Sequence, residues 1–434
     1  MSLSPARVPT TGVRRLTSTL YGYAFLDDLV LLYPVYALLF ADTGLPLWQI
    51  SSLFALWSLT AVVLEVPSGA WADTVSRRRL LWLGPLLTAV GFALWVTVPS
   101  YSAFALGFVL WGAGGALGSG SLEALVYDEL ERLGAAERYA RVMGRTRAVR
   151  LLATVASMGL AGPVLALGGY GAVGAASVLA CLLAAVTATR LPEHRVPAEK
   201  GSTSWPATLR AGVAEARGDR GVQSALLLVP AVAAVWGALD EYVSLLIRDL
   251  GVADATVPYL VLLVWATVTV GSLLTGPAER LGTRGLAALI AGAALAMAVG
   301  AGVRTPAGIA LVGLAFAGFQ LAEVLADVRL QHRIDDARRA TLTSVASLGT
   351  ELVTVAVFGL YSLLGASLPH STVFVILSGP YLVTALVLSR GGRRRRDTSP
   401  EGRPRDASPE IRPRDASPED RPRNESPQER PRTQ

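Results

Sequence analysis

Cysteine and histidine are scarce in this sequence. With Cys181 as its one cysteine, the chain cannot form an internal disulfide or a thiolate metal cage. The three histidines, His194, His332 and His370, fall in separate predicted loops, so neither a metal nor a cofactor is expected. Charge is sparse as well, at 17% of residues. No G-x-x-x-x-G-K-[ST] run is present to cradle a nucleotide phosphate, so any use of ATP requires a partner. A cleavable leader is not expected either. The first sixteen residues are polar, with Arg7, Arg14 and Arg15, and the apolar segment behind them is long and contains acids.

What the chain has in abundance is apolar surface. Its 434 residues are 52% hydrophobic, with a mean hydropathy of +0.46, too apolar for an ordinary soluble domain. A hydrocarbon layer about 30 Å thick is crossed by roughly 20 apolar helical residues. Runs of that kind predict an all-α polytopic membrane protein with twelve spans, near 17–41, 46–72, 80–98, 101–130, 148–167, 171–190, 222–248, 256–278, 285–303, 306–328, 341–366 and 370–389. Arginine tests this map, because cytoplasmic loops retain it. Arg77 to Arg79, Arg132 to Arg147, the 191–221 segment, Arg280 with Arg284, and Arg329 to Arg339 fall on one side. Only Arg248 and Arg304 fall on the other. Both termini are therefore expected in the cytoplasm of a cell with the protein in its inner membrane.

Two halves echo each other. Leu26-Asp27-Asp28 recurs as Leu239-Asp240-Glu241, and Glu123-Ala-Leu-Val recurs 200 residues on as Glu323-Val-Leu-Ala. The expected organisation is a cytoplasmic segment 1–16, a six-helix bundle 17–190, a linker 191–221, a second bundle 222–390 and a tail 391–434, with the bundles related by a pseudo-two-fold axis. In the linker, Trp205, Leu209 and Val213 recur every four residues, which suits a short amphipathic helix on the membrane surface. The tail repeats RPRDASPEI, RPRDASPED and RPRNESPQE; so few apolar residues cannot bury a core, and disorder is expected.

After the second span the chain reads Gly69-Ala-Trp-Ala-Asp73-Thr-Val-Ser76-Arg77-Arg78-Arg79. This resembles the signature G-x-x-x-D-x-x-[GS]-[RK]-[RK] of the major facilitator superfamily, with Gly69, Asp73, Ser76, Arg77 and Arg78 all in place. A glycine lets two helices approach closely, an acid favours a neighbouring helix N-terminus, and arginines anchor the loop in the interface. The resemblance covers residues 15–390 and implies the family fold, two six-helix bundles around a central site. It also implies a pair between Arg77 and Asp128 that latches the outward-open state of an alternating gate. A degenerate copy, Gly276 to Arg284, lies in the second half. The arginine that drug/proton antiporters of the family carry in helix four is replaced here by Phe108, and their helix-five motif survives only as Gly159, Gly162 and Pro163.

An acid at the centre of a membrane helix costs about 2.5–3.5 kcal/mol on insertion scales, so each one marks a functional hypothesis. Asp27 and Asp28 lie about 20 Å from the outer end of span one at helical rise. With their echoes Asp240 and Glu241 they are candidate proton-coupling residues, since a carboxyl removed from water holds a proton more readily. Asp27 is favoured because Tyr23 and Leu31 extend its helix face and Tyr23 can hydrogen-bond it. Glu351 in span eleven is a second coupling candidate. Glu65, Glu123, Glu323 and Asp327 near the cytoplasmic ends suggest an inner-gate salt-bridge network. Arg150 either partners Asp27, Glu65 or Glu123 or reaches back to the interface. Tyr23, Tyr33, Tyr36, Trp57, Trp236, Tyr242 and Trp265 are candidate cavity aromatics, though such residues also gather in interfacial belts.

Together these features predict a monomeric secondary transporter, not an enzyme. Its partners are a small-molecule solute, protons and the lipid bilayer, with no nucleic acid. Proton-coupled export of a drug-like molecule is the leading expectation and proton-coupled uptake the alternative. A non-transporting sensor is more distant. A membrane transferase is disfavoured because Asp27-Asp28 lacks the spacing of a metal-binding acid pair.

Overall fold

The computed structural model describes the backbone of residues 10–194, 220–332 and 339–397, and their side chains except at 10, 65–74, 220–222, 339–341 and 391–397. The expected linker helix through Trp205, most of the repeat tail, and the side chains of Glu65, Gly69 and Asp73 lie outside the described residues. The regular structure is helical. In the first half come α1 (Thr10–Asp28), α2 (Tyr36–Asp42), α3 (Leu47–Thr74), α4 (Arg77–Thr97), α5 (Tyr101–Gly118), α6 (Ser121–Arg132) and α7 (Tyr139–Ala188). In the second come α8 (Arg220–Asp240), α9 (Val243–Asp249), α10 (Val257–Leu273), α11 (Thr283–Gly302), α12 (Gly308–Gln331), α13 (Arg339–Gly365), α14 (His370–Leu377) and α15 (Gly379–Asp397).

Among the described residues, ten segments are long and apolar enough to cross a membrane. One of them, Ala136–Ala188, is two helices meeting at Gly169, whose φ of 61° is easily held by glycine alone. The expected first span is missing from the ten because it is broken. The helix stops at Asp28, the chain turns through 29–35 with Pro34 among them, and helix resumes at Tyr36. The expected seventh span breaks at the equivalent place, between Asp240 and Val243. The expected fourth breaks where Gly120 takes φ 71°. Such interruptions survive in a bilayer only where other groups satisfy the freed backbone. Here the Leu32 N–H donates to Ser177 Oγ on α7 at 3.0 Å, and Ser177 in turn donates to the Val173 carbonyl at 2.9 Å.

Packing repeats in the two halves. α4 lies on α5 as α11 lies on α12, and α3 meets α5 as α10 meets α12. The described residues as far as Gly392 form one compact unit. Its largest apolar core joins the halves, with Tyr36, Phe40, Phe54, Trp95 and Phe108 of the first packed against Tyr242, Phe358 and Tyr361 of the second. At the arginine-rich end the halves keep separate cores. Leu16, Leu20, Leu122, Val126 and Leu191 form one, and Leu226, Leu330 and Leu342 another. Large apolar side chains such as Leu152, Leu227, Leu363 and Val387 cover the outside, as a hydrocarbon solvent requires.

Candidate functional site

The breaks in the first and seventh expected spans each fall at a pair of acids, an awkward place for negative charge. The last turn of a helix already carries the negative end of its dipole. Each pair therefore needs compensation, and each finds a different kind. Arg150 of α7 reaches across to α1, donating from Nη1 to Asp28 Oδ1 at 2.9 Å and from Nη2 to Asp27 Oδ2 at 3.2 Å. The three side chains are 26–32% exposed. They face a cavity of about 480 Å³ that runs from Trp111 and Val30 past Thr88 and Ser119 to Glu123, Met143 and Arg147 at the arginine-rich end. Polar groups dominate its functional chemistry, with three acids, two arginines and several hydroxyls on its wall.

The second pair is sealed. Tyr36 donates its hydroxyl to Glu241 Oε2, and Tyr33 stands 3.5 Å from Asp240 Oδ2, so tyrosines of the first half cover acids of the second. The space left among Tyr33, Tyr36, Asp240, Glu241, Ser244 and Trp265 is about 20 Å³, room for about one water molecule. Beside it Tyr242 donates to Ser51 Oγ at 2.7 Å, again across the halves. Farther out, Arg248 bridges Asp42 of the first half at 2.5 Å and Asp254 of the second at 2.8 Å, and Tyr170 donates to Asp42 at 2.6 Å. Close approach on the same side needs Gly162, where an added Cβ would stand 2.4 Å from the Ala255 carbonyl oxygen. These cross-half contacts gather at the end opposite Arg77.

The signature loop is held from three directions. Arg77 pairs with Asp128 of α6, and the main-chain N–H of Arg77 donates to Glu193 Oε1 at 2.7 Å while Ser76 donates its hydroxyl to the same carboxylate. Ser76 also caps α4, its Oγ accepting from Arg79 N at 3.3 Å. Arg78 is exposed. Glu193 is not legible in the sequence as a partner because it lies 116 residues from Arg77; its place just after the sixth span was the available signal. Ser177 and the Asp42–Arg248–Asp254 cluster were missed for the same reason, since long-range partners leave no local pattern.

Several expectations need correction. Asp27 takes Arg150 as its partner instead of Tyr23, and Leu31 has left the helix face that was to carry it, because α1 ends at Asp28. Arg150 does not reach back to the interface, since two carboxylates hold it. The inner-gate network does not form as expected among the described residues. Glu323 accepts from the Trp236 indole at 3.0 Å within the second half, Asp327 accepts from Gln331 at 3.4 Å, and Glu123 is exposed on the cavity wall. Glu351 borders an adjoining space of about 200 Å³ with Ala61 and Ser347, which shares Gly115 and Ser119 with the main cavity. Of the aromatic set only Tyr23 lines the main cavity. Tyr36 and Tyr242 are buried, Trp57 packs on Trp111 at 5.6 Å, and Tyr33 lies edge-on to Trp265. Ring packing in the shared core, worth about 0.5–1.5 kcal/mol a pair, claims the side chains that the cavity was to have.

Comparison with known proteins agrees with this architecture. Residues 20–328 match the family model of the Major Facilitator Superfamily. No curated protein matches the chain in sequence. Among solved structures, an aspartate-to-alanine mutant of the nucleoside transporter NupG superposes with a TM-score of 0.72 at 13% identity, covering 86% of this chain and 99% of that one. The peptide transporter PepTSo of the POT family gives 0.66 at 14%, over 89% and 99% of the two chains. A D-xylose-proton symporter gives 0.64 at 14%, over 87% and 97%. At such identities the likeness speaks for the fold, and the match over residues 20–328 speaks for the family. The chain is a multi-pass membrane transporter, not an enzyme, and it belongs to the Major Facilitator Superfamily.

Proposed function

We propose that the protein is a proton-coupled secondary transporter that takes up a small polar organic solute by alternating access. The arginine-rich end and both termini face the cytoplasm, on the rule that cytoplasmic loops retain arginine. The structure then corresponds to a state closed outside, with its cavity reaching toward the cytoplasm. The observation that carries the reading is Arg150 holding Asp27 and Asp28 on the wall of that cavity. A proton on either carboxyl weakens its bond to Arg150, and a solute with polar groups competes for the same donors. Proton and solute loading are thereby linked at one place. Asp240 and Glu241 act on the outer gate through Tyr33 and Tyr36. The Arg77–Asp128 pair, braced by Glu193, is made while the cavity reaches toward the cytoplasm, so it steadies the cytoplasmic end of the first bundle instead of latching an outward-open state.

A polar solute replaces a drug-like one, and uptake replaces export, because charged and hydroxyl groups stand on the cavity wall while most of the expected aromatics are packed elsewhere, and because the fold is shared with a protein named as a symporter. The names of structural neighbours, a D-xylose-proton symporter among them, point the same way. A test is available in cells. Strains with and without the gene are supplied radiolabelled nucleosides, pentoses and dipeptides. Gene-dependent accumulation that a protonophore abolishes supports the reading; faster loss of a preloaded solute in gene-bearing cells overturns the direction.

A further inference from the structure

The second half carries a groove on its outer, lipid-facing side that the transport cycle does not use. It lies between α10, α11 and α12, has a volume of about 510 Å³, and is walled by Val270 and Leu274, Ala288 and Gly292, and Leu314 and Gly318. Val270, Leu274 and Leu314 are about half exposed, so the groove opens toward the hydrocarbon rather than into the central cavity. Gly292 supplies floor space, since an added Cβ there would meet nothing within 4 Å. At the arginine-rich end the groove acquires charge. Arg284, Ala288, Gly292 and Ala296 are spaced by four and share one face of α11, which places Arg284 about 6 Å below the groove wall at 1.5 Å rise per residue. Arg280 lies in the preceding loop, and Arg329 of α12 ties that loop down by donating to the Leu281 carbonyl at 2.7 Å. Arg280 and Arg284 are exposed and enter no ion pair among the described residues.

An apolar slot in the hydrocarbon layer, ending in guanidinium groups at the interface, fits one kind of molecule at both ends. We infer that this groove binds an anionic phospholipid, with one acyl chain between α10, α11 and α12 and the phosphate of its headgroup on Arg284 and Arg280. The acyl chain contributes apolar contact along the groove, and the arginines contribute selectivity at about the strength of basic residues near an anionic membrane surface. A second copy of the protein is the competing occupant. It would lay a helix against the groove instead of a chain into it, and it would not need the arginines.

Native mass spectrometry of the full chain in mild detergent separates these outcomes, with phosphatidylglycerol and phosphatidylcholine of identical acyl chains added in turn and sn-glycerol 3-phosphate as a headgroup-only control. The expected result is one retained phosphatidylglycerol, preferred over phosphatidylcholine by about thirty-fold, the factor that two arginines supply beside an anionic headgroup. The double variant Arg280→Gln, Arg284→Gln loses that preference but still retains either lipid weakly. Gly292→Leu, which the open space at that position accommodates, fills the slot and reduces retention of both lipids at least ten-fold. Equal retention of the two lipids by the unaltered protein overturns the inference, as does a preference that survives the arginine variants. A dimer mass that Gly292→Leu converts to monomer assigns the groove to a second copy and overturns it too. Binding of glycerol phosphate alone with equal strength removes the role of the acyl groove.

Discussion

Asp27 and Asp28 share one cation, and that asymmetry dictates how each substitution behaves. Removing Arg150 leaves two carboxylates at a helix C-terminus with no counter-charge, while removing one aspartate leaves the other still paired. Arg150→Ala is therefore expected to lower stability by about 1–2 kcal/mol, less than the 3–5 kcal/mol of a fully buried pair because these groups are about a third exposed. Asp27→Asn and Asp28→Asn are expected to cost less than half of that and yet to abolish proton-driven accumulation. Apparent melting temperature in detergent and transport in vesicles measure the two effects separately; a stable, inactive Arg150→Ala protein would contradict the ordering. The acids themselves were legible in the sequence, because charge in an apolar run stands out. Their partner was not, since Arg150 lies 122 residues from Asp28 and several acids competed for it on paper.

Two broken helices and one tight helix contact set the behaviour of the elements. The breaks at 29–35 and after Asp240 were hidden in the sequence because the intervening residues are apolar, and an apolar break looks like an apolar helix to any hydropathy average. Pro34 was the one local sign. The signature loop, by contrast, was readable as a motif, since its residues are adjacent in the chain, although Glu193, which braces it, was not. Arg77→Ala and Asp128→Asn are expected to give equal transport defects and a double variant no worse than either, the mark of a single interaction. Additive defects would separate the two residues. At the opposite end, Gly162→Val places side-chain atoms against the Ala255 carbonyl, and such overpacking costs about 1–3 kcal/mol. Tyr36→Phe leaves a half-buried carboxylate without its donor, at a cost of about 1 kcal/mol. Either change is expected to populate the open outer end by roughly five-fold or more. The readout is alkylation of Ala37→Cys, a position now 2% exposed, with the buried Cys181 as background. An unchanged alkylation rate in both variants would mean that these contacts do not hold the gate.

At the scale of the whole molecule, the halves share one apolar core at one end and keep separate cores at the other. The duplicated architecture was visible in the spacing of acids and arginines, but its conformational state was not, because state depends on which contacts between halves are made. Rocking the two bundles about the midpoint would dissolve Tyr36–Glu241, Tyr242–Ser51 and Asp42–Arg248 together, exposing Asp240 and Glu241 to the outer side. Solute and proton are proposed to move inward together through the Asp27–Asp28–Arg150 site. Purified protein in vesicles loaded with a pH-sensitive dye tests this coupling, with candidate nucleosides, pentoses and dipeptides added outside one class at a time. One class is expected to acidify the vesicle interior, and Asp27→Asn at equal protein density to abolish the signal. Solute-driven alkalinisation, or acidification undiminished in Asp27→Asn, would contradict it.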